Sequence, residues 1–202
     1  MGCSHTEEKP NEIVPEQIMV TRKKKEVKED NKENLPNNNE TLKLKKPIKK
    51  YKKDIFIENC LKKHNELRAH HGVKPLKISE DLNKIAQKFA EHLAEINKIE
   101  HSYNIYKGEE LGENLFCCSG SEIQGDIMTM SWYDEINKYD FNNPGFISGT
   151  GHFTQIIWKD TLEVGFGFAK SSNNIYYGVA NYYPAGNINT KEEFNKNVLK
   201  RN

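Results

Sequence analysis

His152 stands in SGTGHFTQIIWKD, residues 148–160, after two glycines and a threonine and ahead of a run that alternates like a strand. An imidazole in such a place can be a general base, a metal ligand or a hydrogen-bonded strut. A second residue with chemical potential is Glu135, which shares an expected helical stripe with Met128, Trp132 and Tyr139. An unpaired carboxylate on an apolar face is costly, so Glu135 must have a partner or border a cleft. His64 differs, because its helical neighbours are apolar and it reads as a satisfied core histidine.

The opening MGCSHT offers covalent chemistry. Once Met1 is removed, Gly2 with Thr6 fits N-myristoylation, and Cys3 is a palmitoylation candidate beside it. One myristoyl chain binds a bilayer only marginally, so stable anchoring needs a second acyl chain or a basic segment. KLKKPIKKYKK, Lys43 to Lys53, supplies seven lysines and no acid, which suits an anionic membrane surface. No aromatic stacking platform or nucleic-acid motif accompanies them, so no nucleic acid is expected.

Charge divides the chain. Residues 1–53 hold 14 Lys and Arg against 9 Asp and Glu, and the remainder 16 against 20. Segments such as NKENLPNNNE lack the apolar content of a core, so 1–53 is expected to be a disordered, lysine-rich tether and 54–202 a single folded domain. No apolar window approaches a membrane span or a secretory signal, which places the expected compartment on the cytosolic side. The four cysteines, two of them adjacent at 117 and 118, read as thiols.

Within the domain, Phe56, Cys60, His64, Leu67 and His71 line one face of an expected first helix that ends at Gly72. A second helix is capped by Ser79, carries Leu82, Ile85, Ala86, Phe89, Ala90 and Leu93, and is expected to end close to His101. GENLFCC reads as a buried strand, 121–139 as a third helix, and 152–158, 164–169 and 175–182 as further strands. Helices early and strands late favour an α+β fold with helices packed on a sheet.

Four segments in order, HNELR at 64–68, GENL at 112–115, GHFTQIIW at 151–158 and NYYPAGNI at 181–188, resemble the CAP superfamily of cysteine-rich secretory, antigen-5 and pathogenesis-related proteins. The resemblance covers residues 54–202 and implies an α-β-α sandwich with a cleft lined by His101, Glu113, Glu135 and His152. Secreted members usually carry a cysteine where this chain has Ala180, so the likeness is to an intracellular, membrane-surface branch.

The resemblance implies Zn²⁺ or another divalent metal on His101 and His152, ligand types that suit it. A rival is hydrolysis with His101 as base, Glu113 orienting it and Ser119 as nucleophile, within one chain or across a homodimer. A third reading is purely structural, with each imidazole satisfied by a glutamate. YDFNNPGF, with Tyr139, Phe141 and Phe146, matches a loop with which some members bind sterol. Without the family it is a loop whose aromatics cap the core. The leading expectation is a non-enzymatic protein, not secreted, anchored by its N-terminus to the cytoplasmic face of Golgi, endomembrane or plasma membrane, that binds sterol, fatty acid or anionic phospholipid. A protein-interaction module, self-associating or not, is the alternative.

Overall fold

The computed structural model describes residues 48–202, with side chains from Lys52 onward. Gly2, Cys3 and most of the expected tether lie outside the described residues. Helix α1 spans Ile48–His70, so its first turns occupy the end of the lysine-rich run and the folded region starts six residues before the expected boundary. Its apolar face is as read, with Phe56, Cys60, His64, Leu67 and His71 all buried. The helix stops at Gly72, whose φ of 65° permits the turn in which the Val73 N–H reaches back to the Arg68 carbonyl.

After the short strand β1, Lys77–Ile78, helix α2 runs Glu80–Ile96. Ser79 caps it by accepting from the Leu82 N–H, and Asn97 ends it in the left-handed region. His101 therefore lies in the following loop, beyond the helix rather than at its end. The hairpin β2, Ile105–Tyr106, and β3, Glu109–Glu110, leads into β4, Gly112–Ser119. Helix α3, Gly125–Tyr133, continues as a 3-10 turn through Lys138, a later start than expected. Helix α4 is Gly151–Ile157, followed by β5, Glu163–Lys170, β6, Ile175–Tyr183, and α5, Lys191–Asn197.

The main sheet has the order β1-β5-β6-β4, parallel only between β1 and β5, and β4 is an edge strand. One face packs on α1, α3 and α4 through Phe166, Ala180 and Tyr182. The other packs on α2 through Leu115, Tyr177 and Val179. The result is the α-β-α sandwich that the resemblance implied.

The α2 layer depends on missing side chains. A β-carbon at Gly165 would land inside the backbone of Leu82 and Asn83, and one at Gly167 inside that of Ala86 and Gln87. Gly165→Ala is expected to destabilise the domain by about 3 kcal/mol, the upper end for overpacking, because backbone cannot swing aside. A urea midpoint within error of wild type would show that α2 can lift from the sheet.

The strand expected at 152–158 is instead helix α4. Phe153, Thr154, Gln155, Ile156 and Ile157 are all buried, so a helix enclosed on every side leaves no 3.6-residue stripe to read. Its ends are secured by other elements. The Glu135 carboxylate accepts from the N–H groups of His152 and Phe153 at 3.0 and 3.2 Å, and Arg68 donates to the carbonyls of Ile156 and Trp158. An anion at the first turn and a cation at the last also suit the helix dipole.

Candidate functional site

Three consecutive residues of the edge strand organise the site. Glu113 holds the first histidine: its Oε1 accepts from His101 Nδ1 at 2.9 Å and the Ser102 N–H at 3.0 Å. Its Oε2 accepts from Ser102 Oγ at 2.5 Å and Asn181 Nδ2 at 3.3 Å. Asn114, pointing to the other face as strand alternation requires, donates to the His152 carbonyl at 3.1 Å and to Tyr182 Oη at 3.2 Å. Leu115 accepts from Trp132 Nε1 at 2.9 Å. The Trp132 ring in turn lies near-parallel to His152, with centroids 6.1 Å apart.

The second pair is His152 Nδ1 with Glu135 Oε1 at 2.7 Å. Glu135's place on an apolar stripe thus has its explanation: one carboxylate fixes an imidazole and caps α4. His152 stands in the first turn of a helix, not at the start of a strand. All four residues of the expected tetrad gather around residues 113–115, as two His–Glu pairs on opposite faces of one strand.

The pairs differ in exposure. The Glu113 side chain is 6% exposed and its partner His101 57%. Burial works to raise the Glu113 pKa but is outweighed by the bonds from His101 and Ser102, so the carboxyl is held below its usual range. The bond to Glu113 raises His101 above the ordinary imidazole value against a smaller effect of burial. Each histidine has its Nδ1 tied to a carboxylate, and neither Nε2 has a partner among the described residues. A carboxylate behind Nδ1 selects the tautomer with an open Nε2, the arrangement found behind metal-bound histidines. Among the described residues, no three His, Cys, Asp or Glu side chains converge as a metal cluster.

Ser119 is not part of this arrangement. It ends β4, six residues beyond Glu113, and an extended strand puts about 20 Å between them. Within one chain the expected triad does not form. The hydroxyl that reaches Glu113 belongs to Ser102 and donates to the carboxylate, and no imidazole among the described residues bonds to it as a base. Adjacency to His101 was the only sequence signal for it.

The aromatic loop also divides. Tyr139 is 7% exposed and Phe141 packs beside it against Phe153, with Phe141 also stacked on His71, so both cap the core. Phe146 is 54% exposed and lies over Gly151, next to His152. His64 is a fully buried core residue, bonded through Nδ1 to the Cys60 carbonyl and through Nε2 to Tyr182 Oη, both at 2.8 Å. Cys60, Cys117 and Cys118 are free thiols. No helix among the described residues is long and apolar enough to cross a membrane.

Comparison with known proteins agrees with this architecture. The chain is 44% identical over 144 residues to Golgi-associated plant pathogenesis-related protein 1 of Homo sapiens, covering 71% of this chain and 92% of that protein. It is 37% identical over 147 residues to Protein PRY2 of Saccharomyces cerevisiae, covering 71% of this chain and 41% of PRY2. Among solved structures, NaASP2 with Zn²⁺ superposes with a TM-score of 0.53 at 22% identity, over 72% of this chain and 85% of that one. The family description "CAP: Cysteine-rich secretory protein family" matches residues 61–182. The chain therefore belongs to the CAP family of cysteine-rich secretory proteins.

Proposed function

We propose that this CAP domain is a non-enzymatic binding module, held at a cytosol-facing membrane by its N-terminus, whose edge-strand site takes a divalent cation through His101 and His152. The observation that carries the reading is the pair of imidazoles, each fixed by a glutamate at Nδ1 and open at Nε2. Zn²⁺ would be a Lewis-acidic crosslink between the α2 side and the α4 side of β4, and two imidazoles leave water to complete its shell. The chain's own part is to orient the donors.

Zinc titration of the metal-free full chain by calorimetry tests this. His101→Ala and His152→Ala are each expected to weaken binding at least tenfold, because both imidazoles are needed. Protons compete for His101, whose pKa is raised, so affinity should fall by about tenfold per pH unit once the pH drops below that value. Independent, additive losses from the two variants, or a flat pH profile, would sink a shared site.

Membrane attachment rests on Gly2, Cys3 and the Lys43–Lys53 run. Gly2→Ala is expected to move most of the protein from the membrane to the soluble fraction of cells, and unchanged attachment would remove the acyl anchor from the reading. The compartment follows the relatives only loosely, since their names run from Golgi-associated to "Secreted protein RBT4".

A lipid ligand is a second reading, favoured by exposed Phe146 over Gly151 and by exposed Ile188, which follows Asn187, the residue bonded to the Gly151 carbonyl. In that reading Phe146→Ser, and neither Tyr139 nor Phe141, removes a copurifying lipid from the native mass spectrum.

A further inference from the structure

The hairpin β2–β3 turns through Lys107 and Gly108, both at positive φ, 52° and 86°. Tyr106 and Glu109 pair across it, so the loop is of the two-residue kind that Asn-Gly or Gly-Gly fills without strain. Lysine at its first position is unfavourable to the backbone, and the compensating contact comes from its side chain. Lys107 Nζ stands 4.8 Å from the ring centroid of Tyr106 and 4.9 Å from that of Tyr183. The two rings meet at 88° with their centroids 5.3 Å apart and make a corner. Glu163 is the third wall. It lies directly across from Tyr183 in the β5–β6 register, so both side chains leave the same face of the sheet, and its Oε2 is 3.6 Å from Lys107 Nζ.

Lysine suits this corner poorly in one respect. An ammonium bonded to a carboxylate closes to about 2.8 Å, and Lys107 stays well outside that distance. Glu163 Oε2 is sealed from water and accepts no hydrogen bond among the described residues. The corner thus offers two ring faces and an unbonded negative charge, whereas the N–H groups of lysine need acceptors. The Lys107 side chain is 51% exposed, so nothing locks it in place. A trimethylammonium group matches these walls better: it carries the charge, presents methyl groups to the rings and has no N–H to satisfy. Asp81, in the first turn of α2, adds to the negative surroundings. Its carboxyl is held below the usual range first by Lys84 and in smaller part by the charge of Lys107.

We infer that Tyr106, Tyr183 and Glu163 form a site for a quaternary ammonium of the choline class, with Lys107 as a built-in competitor that the ligand displaces. On β6, Tyr183 stands two residues and about 7 Å beyond Asn181, which bonds Glu113, so the site opens on the α2 face beside the His101–Glu113 pair. It uses neither member of that pair and does not depend on a metal there.

Choline chloride titrated into the metal-free full chain, followed through amide NMR shifts, tests it. Saturable shifts are expected at Tyr106, Glu163 and Tyr183. Ethanolamine, which carries a primary ammonium, should bind about fivefold more weakly. Lys107→Asn suits the turn and removes the competitor, so it should tighten choline binding by about fivefold, a gain that misfolding cannot produce. Adding Glu163→Gln to that variant should cancel the gain. Phosphatidylcholine vesicles that perturb the same amides would identify a lipid headgroup as the source, and a response to free choline alone a soluble ligand; either agrees with the site. Equal binding of choline and ethanolamine would make the corner a general cation contact, and an unchanged affinity in Lys107→Asn would leave Lys107 a structural contact only. Either result, or shifts that miss all three residues, overturns the proposal.

Discussion

Replacing Arg68 with methionine is expected to lower the unfolding free energy by about 4 kcal/mol, because it strands several buried acceptors at once. The guanidinium is fully buried, and no carboxylate pairs with it among the described residues. Its Nε donates to the Lys74 carbonyl at 2.8 Å, Nη1 to those of Ile156 and Trp158 at 2.8 and 2.9 Å, and Nη2 to that of Thr161 at 3.1 Å. Burial lowers its pKa to about 10, which leaves it charged at neutral pH. Methionine keeps the stem's packing, so the loss reports the polar contacts. Lysine should recover about half, having a charge but no planar fork to reach separated carbonyls. Because two of those carbonyls end α4, loosening them also frees the helix that presents His152. Urea midpoints at unchanged slope measure the effect. A loss under about 1 kcal/mol would mean that water replaces the guanidinium, and the clamp reading would fail.

The contrast between α1 and α4 shows what the sequence could disclose. Helix α1 buries one face, so the spacing of Phe56, Cys60, His64 and Leu67 carries its period, and the Gly72 stop is local. Helix α2 announces its start with Ser79 and its end with Asn97, a residue type that tolerates the left-handed stop, although the sequence reading carried the helix on toward His101. Helix α4 has neither stripe nor cap of its own. What holds it helical comes from Glu135 and Arg68, 17 and 88 residues away, and no window along the chain contains that information. A run of β-branched and aromatic residues then reads as a strand.

The site was legible in a similar, partial way. The stripe that placed Glu135 among Met128 and Trp132 required a partner for it, and His152 is that partner. The choice of His101 and Glu113 came from resemblance, since nothing in a separation of twelve residues across a loop dictates a 2.9 Å bond. The roles of Asn114 and Trp132 were invisible although both residues were in view, because each acts through a backbone carbonyl, His152 O or Leu115 O. Within one chain, Ser119 stays apart from the pair for a plain geometric reason. Residue types suited to a triad were counted along the sequence, while an extended strand carried one of them to the far end of the sheet.

Acid should destabilise the domain through His64, and His64→Gln should reverse the order of stabilities. The ring is fully buried, and desolvation lowers its pKa to about 3. Its Nδ1–H donates to the Cys60 carbonyl, which fixes Nε2 as the acceptor for the Tyr182 hydroxyl, and that oxygen accepts in turn from Asn114. Protonation would place a second donor against Tyr182 inside the core. In the unfolded chain the imidazole titrates near its ordinary value of 6.5, so below that pH the unfolded state takes up the proton first. The stability present above pH 6.5 is then lost at about 1.4 kcal/mol per unit as the pH falls toward 3. Glutamine can donate to the Cys60 carbonyl and accept from Tyr182 without titrating. At pH 7 it should cost about 1–2 kcal/mol in packing. By pH 4.5 the wild type should have lost roughly 2.7 kcal/mol that the variant keeps, and the variant becomes the more stable protein. His71, whose pKa burial also lowers, and His101, whose pKa is raised, are common to both proteins and cancel in the difference. Urea melts from pH 7.5 to 4.5 decide it: curves that stay parallel would mean that His64 takes up its proton in the folded domain as easily as in water.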